Sequence, residues 1–323
     1  MKIIILNLKL FRIFILLTIT LFSCCKRGTA GDSNKKASER SETSISQSTL
    51  RIKKSIEFLV TLNGRQAGTE DSKKAAAYLE KELKKLGAEP FDGAYIHEFT
   101  FHKTKKDQNV VGCFPGKSKE IIILGAHYDH LGKISKDVYP GADDNASGTA
   151  AVLEIMSLLK GKSTQVKVCA VFFGAEEKPI MGSSHFVEKH SGILKNLKLL
   201  INLDMVGREF FGSAFGKNSP DGVALILNRI NDKLSTDLPG EFKKYGLQPM
   251  VVGDKFIQSF GAGFLYDSIP FNKKGFSTIF ISTGLHKDYH KVTDTPEKIK
   301  FKKIASISAA VVSIVASLKP ESL

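Results

Sequence analysis

The chain has 323 residues, 42% hydrophobic and 25% charged, which is enough apolar material for a large core and excludes general disorder. Its net charge is +14. No basic run interleaved with aromatics occurs, so a nucleic-acid role is not supported, and the excess charge suits weak attraction to anionic surfaces.

At the N-terminus, Lys2, Lys9 and Arg12 lead into an apolar run from Ile13 to Phe22, broken only by Thr18 and Thr20. A basic start, a short apolar segment and a small residue before a cut site predict a secretory signal over residues 1–23. An uncleaved anchor is the alternative, because counting from Ile3 brings the stretch close to the ~20 apolar residues of a spanning helix. Leu21-Phe22-Ser23-Cys24 resembles a bacterial lipobox, which implies cleavage before Cys24 and a lipid on its thiol. The expectation is an exported, membrane-anchored lipoprotein, otherwise a periplasmic or secreted protein. Residues 24–48 are rich in Ser, Thr, Lys and Gly and read as a flexible tether. The folded domain is then 49–323.

Within that domain, Leu50 to Leu62 has helical apolar spacing, and Ser72 to Leu86 is an amphipathic helix closed by Gly87. Strands are predicted at Tyr95–Phe101, Gln108–Phe114 and Glu120–Ala126, then a helix at Gly148–Leu159. A strand at Val166–Phe173, a helix at Gly182–Lys189 and a strand at Lys198–Asp204 come next. Gly222–Leu234 reads as a helix, Met250–Val252 and Thr278–Ser282 as strands, and Lys303–Leu318 as the last helix. The continuous apolar run Ile121-Ile122-Ile123-Leu124 suits a strand covered on both faces. The alternation predicts a single α/β domain, a mostly parallel mixed sheet with helices on both faces. Cys113 and Cys169 fall inside strands and read as buried small hydrophobes, although an exported protein leaves a disulfide open.

Open sheets of this kind bind ligands at the carboxyl ends of their strands. Those ends carry His127-Tyr128-Asp129-His130, then Gly141-Ala142-Asp143-Asp144-Asn145-Ala146-Ser147-Gly148 opening a helix, Glu176-Glu177, Asp204, and the stretch from Ser282 to His290. So many acids in one water-excluding cleft would repel one another or need a metal. Imidazole and carboxylate without thiolate suit zinc or a similar divalent ion. Three carboxylates and two neutral imidazoles around two dications leave one positive charge, which favours a bound hydroxide at neutral pH, and a further, non-ligating carboxylate can take its proton. A histidine at a strand end is usually structural, the reading adopted for His130, His185 and His286. Asp143 competes with Asp144 as a ligand, and Asp143 or Ser147 can instead cap the helix.

Taken together, these stretches resemble a two-zinc metallopeptidase family. The matching segments are Gly125-Ala126-His127-Tyr128-Asp129-His130-Leu131-Gly132, the Asp143-Asp144 segment, Ala175-Glu176-Glu177 with Gly182-Ser183, Asn202-Leu203-Asp204-Met205-Val206-Gly207, and Asp288-Tyr289-His290 with Asp294-Thr295. The family is that of bacterial leucyl aminopeptidases and aminopeptidase Y, whose relatives include glutamate carboxypeptidase and glutaminyl cyclase. Gly64-Arg65-Gln66-Ala67-Gly68-Thr69 resembles its N-terminal segment.

The resemblance implies a zinc exopeptidase fold and peptide substrates with a free N-terminus. It implies two zinc ions bridged by Asp144, with His127 and Asp204 on one and Glu177 and His290 on the other. Glu176 would be the general base for a metal-bridging hydroxide, and Asp129 would orient the His127 ring. A cis peptide between Asp144 and Asn145 is also implied. Carboxypeptidase, dipeptidase or glutaminyl cyclase chemistry on the same fold is the alternative, as is a non-catalytic surface lipoprotein. The chain departs from the family pattern at Lys178-Pro179-Ile180-Met181, at Tyr266-Asp267-Ser268 before Pro270-Phe271, and at Lys291-Val292. No tyrosine stands where some relatives have a transition-state phenol; Tyr266 is a candidate by position, as Asp267 is for the substrate amine.

Overall fold

A computed structural model describes residues 30–210, 219–253 and 266–322, with side chains from Ser44 onward except Ser322. The signal segment and Cys24 lie outside the described residues. Contacts divide the chain into two units between Thr43 and Ser44, and the second unit holds the sheet and the helices packed on it.

The first helix, α1 (Ala30–Val60), begins inside the stretch read as a flexible tether and corrects that reading from Ala30 onward. Lys, Arg and Glu lose little rotamer freedom in a helix, so a polar stretch can extend one that is anchored further along. The anchor is the stripe Ile52, Ile56 and Leu59, all fully buried. Beside it, Arg51 donates to both oxygens of Glu154 at 2.8 and 2.7 Å. Next, α2 (Glu70–Leu86) is capped by Thr69, whose Oγ1 accepts from the Ser72 N–H, and ends at Gly87 with φ +81°.

The strands are β1 (Glu89–Pro90), β2 (Ile96–Phe101), β3 (Lys105–Phe114), β4 (Ile121–His127), β5 (Gly132–Ile134), β6 (Asp137–Tyr139), β7 (Lys167–Phe173), β8 (Leu197–Leu203), β9 (Gly222–Asn228), β10 (Gln248–Gly253) and β11 (Thr278–Ser282). Between and after them come α3 (Ala146–Leu159), α4 (Met181–Lys189), α5 (Asp232–Lys244), α6 (Ser268–Lys273) and α7 (Phe301–Ser317). Among the described residues nine strands form one sheet in the order β1-β3-β7-β4-β8-β11-β9-β10, with β2 also on β3. Its heart, β7-β4-β8-β11, is parallel; β3 and β9 join that heart antiparallel on either side.

Both faces of this sheet are covered. Ile122 and Leu124 of β4 point into a core shared with Ala150 of α3 and Val311 of α7. Ile121 and Ile123 point the other way, against Phe186 of α4 and Phe271 of α6. This is why β4 is apolar at every position before its closing histidine.

Two expectations change here. The helix predicted over Gly222–Leu234 is a strand followed by a turn. Val223-Ala224-Leu225-Ile226-Leu227 pairs with both β11 and β10, and α5 starts only after Asn231, whose Oδ1 accepts from the Leu234 N–H at 2.9 Å. A short apolar run carries no period that separates strand from helix. The cysteines read as buried thiols, Cys113 and Cys169, face each other across the antiparallel β3–β7 pair and form a disulfide with Cα atoms 4.0 Å apart. That pairing depends on strand register, which a single strand pattern does not reveal.

Candidate metal centre

Four parallel strands end on one side of the sheet, and the turns beyond them are tied to one another before any ligand is considered. Arg65 is fully buried. It donates to the carbonyls of Tyr128 at 2.8 Å, Pro140 at 2.6 Å and Gly141 at 2.9 Å. It thereby clamps the segment after His127 to the segment before Asp144. Asp294 Oδ2 accepts from the Asp143 and Asp144 N–H groups at 2.9 and 3.1 Å. The Asp144–Asn145 peptide is cis, as the resemblance implies. Asn145 caps α3 by accepting from the Gly148 N–H at 2.9 Å and donates to the Leu203 carbonyl at 3.0 Å, so the start of α3 is pinned to the end of β8. A Cβ at Gly148 would lie 2.2 Å from that same carbonyl oxygen, so glycine is required. Ala175, Met205 and His290 hold left-handed backbone at φ +54°, +55° and +53°. Each costs on the order of 1–2 kcal/mol for a residue with a Cβ. All three flank or carry site residues, which is where such strain is retained.

The five predicted ligands converge. His127 Nε2 lies 3.5 Å from Asp144 Oδ1 and 3.4 Å from Asp204 Oδ1. His290 Nε2 lies 3.2 Å from Asp144 Oδ2 and 3.3 Å from Glu177 Oε1. Asp144 thus turns one oxygen to each side. Two groups able to hold an ion emerge among the described residues, His127–Asp144–Asp204 and His130–Asp144–Glu177, each with its ligand atoms within 4.8 Å of one another. His130, read from the sequence as structural, sits in the second group, with Nδ1 2.9 Å from Glu177 Oε1 and 3.6 Å from Asp144 Oδ2. Asp144 Oδ2 and Asp204 Oδ1 are buried and face only the neighbouring imidazoles, with no other hydrogen-bond donor among the described residues. Donors bound tetrahedrally at ~2.0–2.1 Å from one zinc stand ~3.3 Å apart. The spacing and chemistry of these donors therefore fit a pair of divalent ions.

Electrostatics separate the two adjacent glutamates. Burial pushes the Glu176 carboxyl well above the usual carboxylate range, opposed by His127 and helped by Asp267. Burial also works to raise Glu177, but hydrogen bonds from His130 and His290 hold it well below that range. The two adjacent carboxyl groups thus differ sharply in proton affinity. Burial likewise raises Asp204, and it lifts Asp267 to about 7. Burial alone would lower His290, but hydrogen bonds to Asp144 and Glu177 raise it to about 10.

Asp129 makes a contact beyond the one expected with the His127 ring. Its carboxylate accepts from the N–H groups of Glu176 at 3.0 Å and Glu177 at 3.3 Å. The His127 Nδ1 is 3.7 Å from that carboxylate and 3.3 Å from the Asp129 carbonyl. Asp129 therefore holds the Glu176-Glu177 turn first and adjoins the ring second. Asp143 stands outside both groups, with Oδ1 accepting from Gly207 N–H at 2.7 Å and Oδ2 3.2 Å from His286 Nε2. His286 thus keeps its structural reading, as does His185, stacked on Phe99 with ring centroids 5.4 Å apart. Tyr266 packs against Phe280 at 4.6 Å. Tyr289, which sequence reasoning passes over, lines a cavity of about 280 Å3 together with His127, Asp144, Glu176, Glu177, Asp204 and His290. Pro179, Met205, Phe280 and Leu285 add apolar wall.

An α/β sheet whose strand ends hold two acid–imidazole groups joined by one carboxylate defines a site of the metal-dependent hydrolase class. Residues 109–315 match the Peptidase family M28, and the chain belongs to that family. It is 27% identical over 210 residues to a probable leucine aminopeptidase of Arthroderma otae, covering 62% of this chain and 54% of that protein. The fold matches BSAP, a zinc aminopeptidase from Bacillus subtilis, with TM-score 0.65 and 18% identity over 85% of this chain and 97% of that one. It also matches a glutaminyl cyclase from Fimbriiglobus ruber with TM-score 0.67 and 19% identity over 84% and 95%. The chain spans about half the length of the first curated relatives it matches.

Proposed function

We propose that this protein is a zinc-dependent aminopeptidase that hydrolyses the N-terminal peptide bond of peptides. The observation that carries the reading is the pair of donor groups sharing Asp144, with the unshared Glu176 facing the same cavity. His127, Asp144 and Asp204 would hold one zinc ion, and Asp144, Glu177 and His290 a second. Zinc would polarise the scissile carbonyl and acidify water. Glu176 would take a proton from that water and return it to the leaving amine, a role suited to a buried carboxyl with raised proton affinity. Asp129 holds Glu176 in place through its backbone N–H. The apolar wall beside the acids favours an uncharged first side chain, and the acids themselves would receive the substrate's free amine.

Hydrolysis of aminoacyl-nitroanilides with and without a chelator tests this reading. Turnover should vanish on chelation and return with zinc; a zinc-loaded protein that cleaves none of them would overturn it. Cyclisation of N-terminal glutamine without cleavage would move the reading to the cyclase branch.

The same reading places the protein outside the cytoplasm, lipid-anchored at Cys24. Its support is the N-terminal signal pattern together with the core disulfide, since such bonds persist in oxidising compartments. Among the described residues no helix is long and apolar enough to cross a membrane. A fatty-acyl label should be carried by the wild type and absent from Cys24→Ser; a wild type that takes up no label would refute the anchor.

A further inference from the structure

We infer that His130 is itself a metal-binding residue, adding a second imidazole to the position formed by Asp144, Glu177 and His290. The inference rests on the metal reading above and goes beyond it in assigning a donor and ranking the two ions.

Two carboxylate oxygens define the argument. Glu177 Oε1 is 2.9 Å from His130 Nδ1 and 3.3 Å from His290 Nε2. Asp144 Oδ2 is 3.6 Å from His130 Nδ1 and 3.2 Å from His290 Nε2. Both rings therefore address the same two oxygens, and all four separations bracket the ~3.3 Å expected between neighbouring donors on one zinc ion. A histidine serving only the core would place its nitrogens on backbone or neutral side-chain partners. Here Nδ1 faces two proposed ligands, and Nε2 has no hydrogen-bond partner among the described residues.

The fold fixes that ring without help from an ion. His130 is fully buried. Its Cγ and Cδ2 lie 2.5 Å from where a Cβ on Gly141 would stand, so glycine there makes room for the imidazole. The Gly141 carbonyl is in turn held by Arg65 at 2.9 Å.

The two positions then differ in kind. The first has one imidazole and two carboxylates and keeps a place for water or substrate. The second has two imidazoles and two carboxylates, the complement of a closed site. The second ion is accordingly the tightly held one and the first the exchangeable one.

Zinc binding by the full folded chain, measured by metal analysis across a series of zinc buffers, tests this. The wild type should bind two zinc ions with separated affinities. His130→Asn keeps an N–H pointing at Glu177 but offers a poor zinc donor. It should weaken the tighter ion by more than about a hundredfold, beyond the ~10–100-fold that losing an outer hydrogen-bond partner costs, and leave the weaker one unchanged. If His130 only positions Glu177 through a hydrogen bond, the asparagine restores that bond and both affinities stay at wild-type values, which overturns the inference. X-ray absorption of wild-type protein carrying a single zinc gives a reading independent of how the variant folds. Two imidazoles at that ion support the inference and one refutes it. A wild type that binds no zinc refutes the metal reading itself, a different result from either.

Discussion

Glu176 and Glu177 are neighbours in the chain, yet their carboxyl groups meet opposite surroundings. Glu177 is bracketed by His130 and His290, while Glu176 is buried near Asp204 and Asp267. Glu176→Gln should leave zinc content unchanged and reduce turnover by at least the ~100-fold typical of a lost general base. Glu177→Gln should lower zinc occupancy. Metal analysis beside steady-state rates separates the two, and near-normal turnover of Glu176→Gln would reverse the assignment. The gathering of acids and imidazoles after the apolar strands is legible in the sequence, but which five of them are ligands follows from the family resemblance, since the residues alone leave Asp143 and Asp144 in competition. The place of His130 is not legible. Strand β4 ends at His127, and beyond that point the alternation of side chains no longer tells which way a ring turns. The hold of Asp129 on the Glu176 and Glu177 N–H groups is equally hidden, since it needs the neighbouring strand's turn beside it.

At the scale of elements, a long period or a β-branched run is readable and a short mixed run is not. The 17-residue amphipathic spacing of α2 carries its period, and three consecutive β-branched residues, Ile121-Ile122-Ile123, carry the strand signal of β4. The run in β9 has neither, and its strand character comes from lying between β11 and β10. The β3–β7 disulfide joins residues 56 apart in the chain. In the chain-entropy picture a loop of that size stabilises by about 4 kcal/mol. Reduction, or Cys113→Ser with Cys169→Ser, should therefore lower Tm by several degrees with zinc present; an unchanged Tm would show that the bond contributes nothing. The end of α4 adds a pH effect. His190 lies against Phe91, Phe186 and His97. Burial lowers its pKa to about 4, with His97 adding and Asp92 opposing. The unfolded chain takes up this proton nearer pH ~6.5, so it binds more protons than the folded chain between the two values. Stability is then present above about pH 6.5 and is lost as pH falls towards 4. Thermal melts at about pH 7 and about pH 4.5 should show a larger fall for the wild type than for His190→Phe; equal falls would exclude His190 as the cause.

For the whole molecule, the proposed activity requires the cavity to receive the free N-terminal end of a peptide. A free amine meeting one of the buried acids forms a charge-assisted hydrogen bond worth ~1.5–3 kcal/mol, and acetylation both removes it and leaves its partner unpaired. N-acetylated peptides should lose at least about a hundredfold in kcat/KM relative to free ones, at ~1.4 kcal/mol per factor of ten. Equal cleavage of the two would point to a carboxypeptidase instead.

The proposed ligands run from His127 to His290, spread over strand ends and the loops beyond them that meet only when the sheet is complete. A chain threading out N-terminus first presents His127 long before its counterparts, and no partial length offers both donor groups. On the proposed export route the chain leaves the cytoplasm unfolded and therefore crosses without its ions. On that route its ions would come from the supply at its destination, and zinc scarcity there, rather than inside the cell, would set how much of it matures.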